Sequence, residues 1–233
     1  MSRKTKTTQA AFLTVLFLLP FCGRLEANAE YTGEKIIYLI DPAGVAEYRN
    51  LGVVEVDGRK LNLVTFETKL LGFRDTEKIY LDSETNLPVR VERDVGLWTK
   101  KEYLVEKYDQ EKSQLIVEKY NHKKKVKEYF FKVKGPIHNA VFLPFFLRDS
   151  TDFHIGWSME VSFPQTFEIQ LVSLEQIRIP AGEFWAYHFT SIPHKFEIWL
   201  SRDLPHVPLK IQGLGALGYT FSMKEHLLND NSP

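Results

Sequence analysis

Seven histidines invite a search for metal chemistry. A zinc-like ion needs three or four N, O or S ligands converging on one point. His188, His194 and His206 share the stretch Ile177–Gln212, but none has the i, i+2 or i, i+4 spacing of a paired site on a strand or helix. The carboxylates are scattered, and the single Cys22 lies near the N-terminus. No serine stands in a Gly-x-Ser-x-Gly context, which nucleophile elbows require. Neither a P-loop nor a dinucleotide fingerprint is present. The sequence therefore predicts no catalytic residue, no metal and no cofactor, and the chain reads as a non-enzyme. What it has in surplus is aromatic surface: seventeen Phe, ten Tyr and four Trp. The chemistry of such a surplus is burial of apolar groups, either its own or a ligand's.

The elements that must carry those rings read almost entirely as strands. Ile177–Gln212 predicts a strand, a tight turn at Pro180-Ala181-Gly182, and three further strands. An earlier stretch echoes it. Ile79-Tyr80-Leu81-Asp82 leads to Leu87-Pro88-Val89-Arg90-Val91, as Ile198-Trp199-Leu200-Ser201 leads to Val207-Pro208-Leu209-Lys210-Ile211. Strict alternation in both predicts Val89, Val91, Leu209 and Ile211 facing one core, with Arg90 and Lys210 outward. Asp57-Gly58 between Val45–Val56 and Arg59–Leu70 is a two-residue hairpin signal. Further strands are expected at Glu34–Ile40, Glu102–Tyr108, Gln114–Tyr120, Val126–Val133, Trp157–Phe163, Thr166–Glu175 and Gly218–His226. The lysines at 123–125 read as a solvated hairpin tip that discourages edge pairing.

One segment breaks the pattern. Within Ile137–Leu147, residues Ile137, Val141 and Phe145 fall at i, i+4 and i+8, which is helical spacing. Pro144 predicts that this helix is short or kinked. Together these elements predict a mainly β protein, a single curved antiparallel sheet or open β-barrel with one short helix as plug or lid.

The 233 residues are 44% apolar and carry no formal net charge, which argues against a nucleic-acid partner. Arg3, Lys4 and Lys6, the apolar stretch Ala10–Cys22 and Ala27-Asn28-Ala29 read as a secretory signal peptide over residues 1–29. The apolar stretch is too short to span a bilayer, which takes about 20 residues, and no transmembrane segment is expected after cleavage. Pro20 and Phe21 before Cys22 argue against lipidation. Removing 1–29 takes four basic residues and one acidic, so that 30 of each become 26 and 29, a net charge of −3. The mature chain, without Cys, is expected in the periplasm as one domain over 30–226, followed by a disordered tail over 227–233.

These motifs resemble a bacterial envelope family known as domain of unknown function 3108. The resemblance rests on Pro180-Ala181-Gly182 with Glu183-Phe184, and on Glu197-Ile198-Trp199-Leu200-Ser201 running to Pro208-Leu209-Lys210. It also rests on Leu87-Pro88-Val89-Arg90, and on Phe145-Phe146-Leu147-Arg148 with Gly156 downstream. Through its Trp-containing hairpin that family looks like the lipoprotein carriers LolA and LolB. The resemblance implies an open antiparallel β-barrel with a helical lid over an apolar cavity, and a lipid or lipoprotein as partner; this chain has one lid-like helix rather than several. The expected ligand contacts are Phe142, Phe145, Phe146, Arg148, Trp157, Trp185 and Trp199. The alternative expectation is an assembly or interaction module whose barrel is solidly filled.

Overall fold

The computed structural model describes residues 31–121, 124–150, 152–214 and 218–228. The predicted signal peptide, its cleavage site and residues 229–233 lie outside the described residues. Fourteen strands form one antiparallel sheet. They are β1 (Lys35–Asp41), β2 (Gly44–Val56), β3 (Arg59–Leu70), β4 (Phe73–Asp82), β5 (Pro88–Leu97), β6 (Lys100–Asp109), β7 (Gln114–Asn121) and β8 (Lys124–Lys132), then β9 (Ser158–Ser162), β10 (Thr166–Ile179), β11 (Gly182–Ile192), β12 (Phe196–Ser201), β13 (Pro208–Gly213) and β14 (Tyr219–Leu227). Their order across the sheet is β8-β7-β6-β5-β4-β3-β2-β1-β14-β13-β12-β11-β10-β9. Two meanders thus meet at β1 and β14, and β8 and β9 are the open edges. β14 runs to Leu227, the first residue of the predicted tail.

Local chemistry sets the hairpins. Asp57 and Gly58 both take positive φ, 52° and 75°, the geometry a two-residue turn needs to match strand twist. The Pro180-Ala181 turn reaches across the sheet, and Ala181 donates its N–H to the carbonyl of Met223 in β14 at 3.1 Å. That contact brings the β10–β11 turn onto β14.

The two echo hairpins share one irregularity. Register slips between Tyr80 and Leu81 in one, and between Trp199 and Leu200 in the other. Val89 and Leu209 are the extra residues, bulges that place Pro88 opposite Leu81 and Pro208 opposite Leu200. The strict alternation predicted from sequence is broken there. Val91 and Leu209 are buried in one core, as expected, but Val89 and Ile211 are only half-buried. Arg90 reaches Glu92, and Lys210 lies over the Trp199 ring with its Nζ 4.1 Å from the centroid.

The crossover from β8 to β9 holds the single helix found among the described residues, α1 (Leu143–Leu147). It is short, as Pro144 predicts, and occupies the last five residues of the helix-spaced segment 137–147. Ile137 is spent on a parallel bridge to Ser162, and Asn139 caps the following turn, its Oδ1 accepting from the N–H of Phe142 at 2.9 Å. Pro144 sits in the first helical turn, where a missing N–H costs nothing. The crossover also spans the gap between the open edges. The Gln110 side chain, from the β6–β7 turn, donates to the carbonyls of Pro88 and Ile137 and accepts from the N–H of Ile137, each at 2.9 Å.

Candidate functional site

The helix fills the middle of the sheet. Phe142 and Phe145 are 2% and 1% exposed and belong to the larger core cluster, which draws on both meanders. Leu143 and Leu147, on the other side of the same short helix, belong to the core of the second. Phe145 stacks on Tyr48, and Phe142 packs parallel to Phe145 at 6.0 Å. Of the two possibilities the sequence left open, plug or lid, the packing is that of a plug.

Arg148 follows the helix into the same interior. Its guanidinium donates to both oxygens of Glu34, 2.9 and 2.8 Å away, and its centre lies 3.9 Å over the ring of Tyr31. The ring Nε2 of His226 lies 2.8 Å from the same carboxylate. Burial alone would raise the Glu34 carboxyl, but the His226 hydrogen bond and the Arg148 charge outweigh it and hold the group below its usual range. The Tyr48 hydroxyl and Arg148 Nε are buried without a hydrogen-bond partner.

Beyond the plug the concave face of β4–β8 is left partly uncovered. A pocket of about 330 Å³ lies between these strands, the crossover residues 138–141 and the β9–β10 turn. Its walls are apolar at Leu115, Val117, Tyr129, Phe131, Val141 and Phe163. Its floor is charged. Arg93 Nε lies 3.2 Å from Glu77, and the same guanidinium pairs with Asp75. The Tyr108 hydroxyl donates to Glu106. Burial pushes the Glu77 carboxyl up to about 7, Arg93 partly offsets this, and the Asp75 and Glu106 charges add to it. His138, also at the rim, is pushed down to about 4 by burial.

The seven residues expected to contact a ligand do not converge. Phe142, Phe145 and Arg148 are interior packing. Phe146 is half-buried and meets His138 edge-on at 5.0 Å, which places it behind the pocket rim. Trp157 packs with Phe153 and Phe189 on the second core. Trp185 is 47% exposed. Trp199 stacks on His188 at 4.3 Å and donates its indole N–H to Glu175 at 2.7 Å.

The histidines are equally dispersed. His206 is buried among Phe153 and Tyr187, and His194 is exposed beside Glu197. Among the described residues no three of His, Cys, Asp and Glu stand close enough to hold a metal ion. No helix among them is long and apolar enough to cross a membrane.

The charged floor went unread in the sequence, although a signal was there. Arg93 is two residues beyond the inward-facing Val91, so alternation points its guanidinium at the core face. Glu77 stands directly across from it on β4. An opposed charge pair on an inward face is what β-pairing would have singled out.

No family model matches the sequence, and no curated protein matches it. Among solved structures, a beta-barrel-like protein of domain of unknown function DUF1849 from Brucella abortus is similar over 87% of this chain and all of its own. The TM-score is 0.53 at 9% identity, which shows a shared barrel-like fold and nothing more. A candidate exported protein with a YmcC-like fold from Bacteroides fragilis covers 84% of this chain and 96% of its own, with TM-score 0.30 at 8% identity. A candidate lipoprotein from Parabacteroides distasonis covers 85% and 96%, with TM-score 0.28 at 12% identity. At those two scores the likeness carries no argument.

Proposed function

We propose that this is a non-enzymatic envelope protein that binds an apolar or amphipathic ligand, a lipid or the acyl chain of an acylated protein. The ligand occupies the pocket between the crossover and β6–β8, not the barrel centre that the plug fills. The observation that carries the reading is the pocket itself: an apolar-walled space beside a filled core, at the small end of the ~300–1,000 Å³ typical of ligand sites. Such a volume suits one short chain rather than a multi-chain lipid. Phe146 backs the rim through His138, while Phe142, Phe145 and Arg148 belong to the filled interior beside it. Export rests on the pattern of residues 1–29, and the resemblance to domain of unknown function 3108 supports an envelope role.

The second reading, an assembly module working through a sheet edge, is favoured by β8. That strand is an open edge, with Val126 52% and Phe130 58% exposed.

The test pairs two measurements. Lipids that co-purify with the protein from its native envelope are identified by mass spectrometry, and a fluorescent fatty acid is titrated into the native protein and into Val117→Trp. Binding that the pocket-filling Trp abolishes, with the melting midpoint kept, supports the ligand reading. Absence of probe binding and of co-purified lipid leaves the edge-strand reading standing.

A further inference from the structure

Large apolar side chains at full exposure are costly and informative when they cluster. At the end of the sheet where β3 turns into β4 and β5 into β6, two hairpin tips lie side by side. Leu71 at the first is 89% exposed, and Trp98 at the second is 76% exposed. Leu97 and Leu70 flank them at 48% and 37%. The tips are locked together: Trp98 donates its N–H to the carbonyl of Gly72 at 2.7 Å. The indole lies so close over Gly72 that a Cβ there would fall 2.7 Å from the ring. Trp98 itself takes φ 53°, unusual for a bulky residue. Trp98 is thus fixed on a braced tip, its indole over Gly72 and most of its surface in solvent.

The surroundings of the tips are basic. Lys69, Arg74, Lys100 and Lys101 are all exposed and follow or precede the apolar residues directly. Glu67 answers Lys69 and Arg74, and Asp94 lies nearby on the outer face. Lys100 and Lys101 have no ion-pair partner among the described residues. A groove of about 870 Å³ runs from the tip along the outer face between Lys69, Arg74, Lys101 and Trp98. Trp and Leu at the point, with the unpaired Lys100 and Lys101 beside them, match the interfacial zone of an anionic bilayer: the indole sits at headgroup depth, the two lysines meet lipid phosphates, and Glu92 and Asp94 stay back along the groove.

We propose that the paired tips Leu70–Gly72 and Leu97–Lys101 form a membrane-docking point that inserts Leu71 and Trp98 into the interface of an anionic lipid surface. The site lies on the outer face and end of the sheet, apart from the concave pocket, so it stands or falls independently of ligand binding.

The test uses protein recovered after export by the cell, with vesicles of phosphatidylglycerol mixed with phosphatidylcholine and vesicles of phosphatidylcholine alone. Co-sedimentation is measured for the native protein, Trp98→Ala, Leu71→Ser, the double variant, and Lys100→Glu with Lys101→Glu. Brominated lipids report whether Trp98 enters the bilayer; the quenched part of the emission should vanish in Trp98→Phe, and residues 1–29 contain no Trp to confuse it. The native protein should bind the anionic vesicles, more weakly as salt rises. The apolar double variant and the charge-reversal variant should each lose about tenfold or more in partitioning, with unchanged melting midpoints. Equal partitioning of native and double-variant protein, or no quenching of Trp98, overturns the proposal. So does a self-association in sedimentation velocity that the double variant abolishes while vesicles bind neither form.

Discussion

The ring of Phe145 lies flat on that of Tyr48, with centroids 3.8 Å apart and planes 12° from parallel. Tyr48 belongs to β2 and Phe145 to the crossover helix, so this stack joins the sheet to its plug. Both rings are about 1% exposed. Phe145→Ala should therefore cost the full value of a buried ring, about 3–5 kcal/mol. Chemical denaturation of the variant checks this. A loss under about 1 kcal/mol would mean that the helix lifts easily and acts as a lid.

Arg148 and Glu34 make the second test of the interior. Removing one partner of a buried pair strands the other, at a cost of about 3–5 kcal/mol. Arg148→Met should show that loss. Arg148→Met combined with Glu34→Gln should recover much of it, because no unpaired charge remains. A double variant as unstable as the single one would show that the cost is packing and not charge.

Glu77 gives a pH prediction with a definite sign. Its folded value of about 7 lies above the ordinary carboxylate value of 4.5, so the folded state holds the proton more tightly than the unfolded chain. The stabilisation from that proton is fully present below about 4.5 and is lost as pH rises towards 7 and beyond. The groups facing it are Asp75, Arg93, Glu106 and Asn139. Glu77→Gln removes the penalty of ionisation. Its stability relative to the native protein should improve by roughly 3 kcal/mol between pH 4.5 and pH 8. Parallel stability curves for the two proteins over that range would refute the assignment.

Asn62 is the buried polar group with the least support. It is 0% exposed, stands opposite Leu81 on β4, and neither its amide nitrogen nor its oxygen has a hydrogen-bond partner. Replacing it with the similarly sized Leu removes two unmet hydrogen-bonding groups from the core. Asn62→Leu should stabilise the protein by about 1–3 kcal/mol, read as a raised denaturation midpoint. A destabilised variant would indicate that Asn62 meets a polar ligand or solvent in the working protein.

Much of the fold was legible from short-range chemistry. Asp57-Gly58 set one hairpin to the residue, because only a few residues accept its two positive φ angles. The echo hairpins were recognised, yet their bulges were not: a bulge inserts a residue without changing composition, and Val89 looks like any inward Val. Pro144 made the short helix legible, but its start was not, because Ile137 and Val141 have helical spacing by coincidence. Ile137 in fact answers Ser162, which lies beyond the crossover. Site residues were the least legible. Aromatic type could not separate plug from pocket wall, since Phe142 and Phe131 differ only in what the crossover covers. Leu71 and Trp98 sit in turns, where periodicity says nothing about side-chain exposure.

The meeting of β1 with β14 has a consequence for the order of assembly. Every other neighbouring pair in the sheet is formed by strands consecutive in the chain. The seam instead brings together Lys35 and Leu227, and the Glu34–His226 contact beside it spans 192 positions of sequence. Of the strand pairings in the sheet, this one closes the longest stretch of chain and carries the largest closure entropy. The second meander has a core cluster of its own, whereas the larger cluster draws on both meanders and is complete only when they join. Arg148 lies on the segment between them and binds Glu34 on one half while His226 reaches it from the other. The buried charge cluster is thus a latch that completes only when both halves have arrived in register, and a chain stalled at that point would present β1 and β14 as two unpaired apolar edges open to a neighbour.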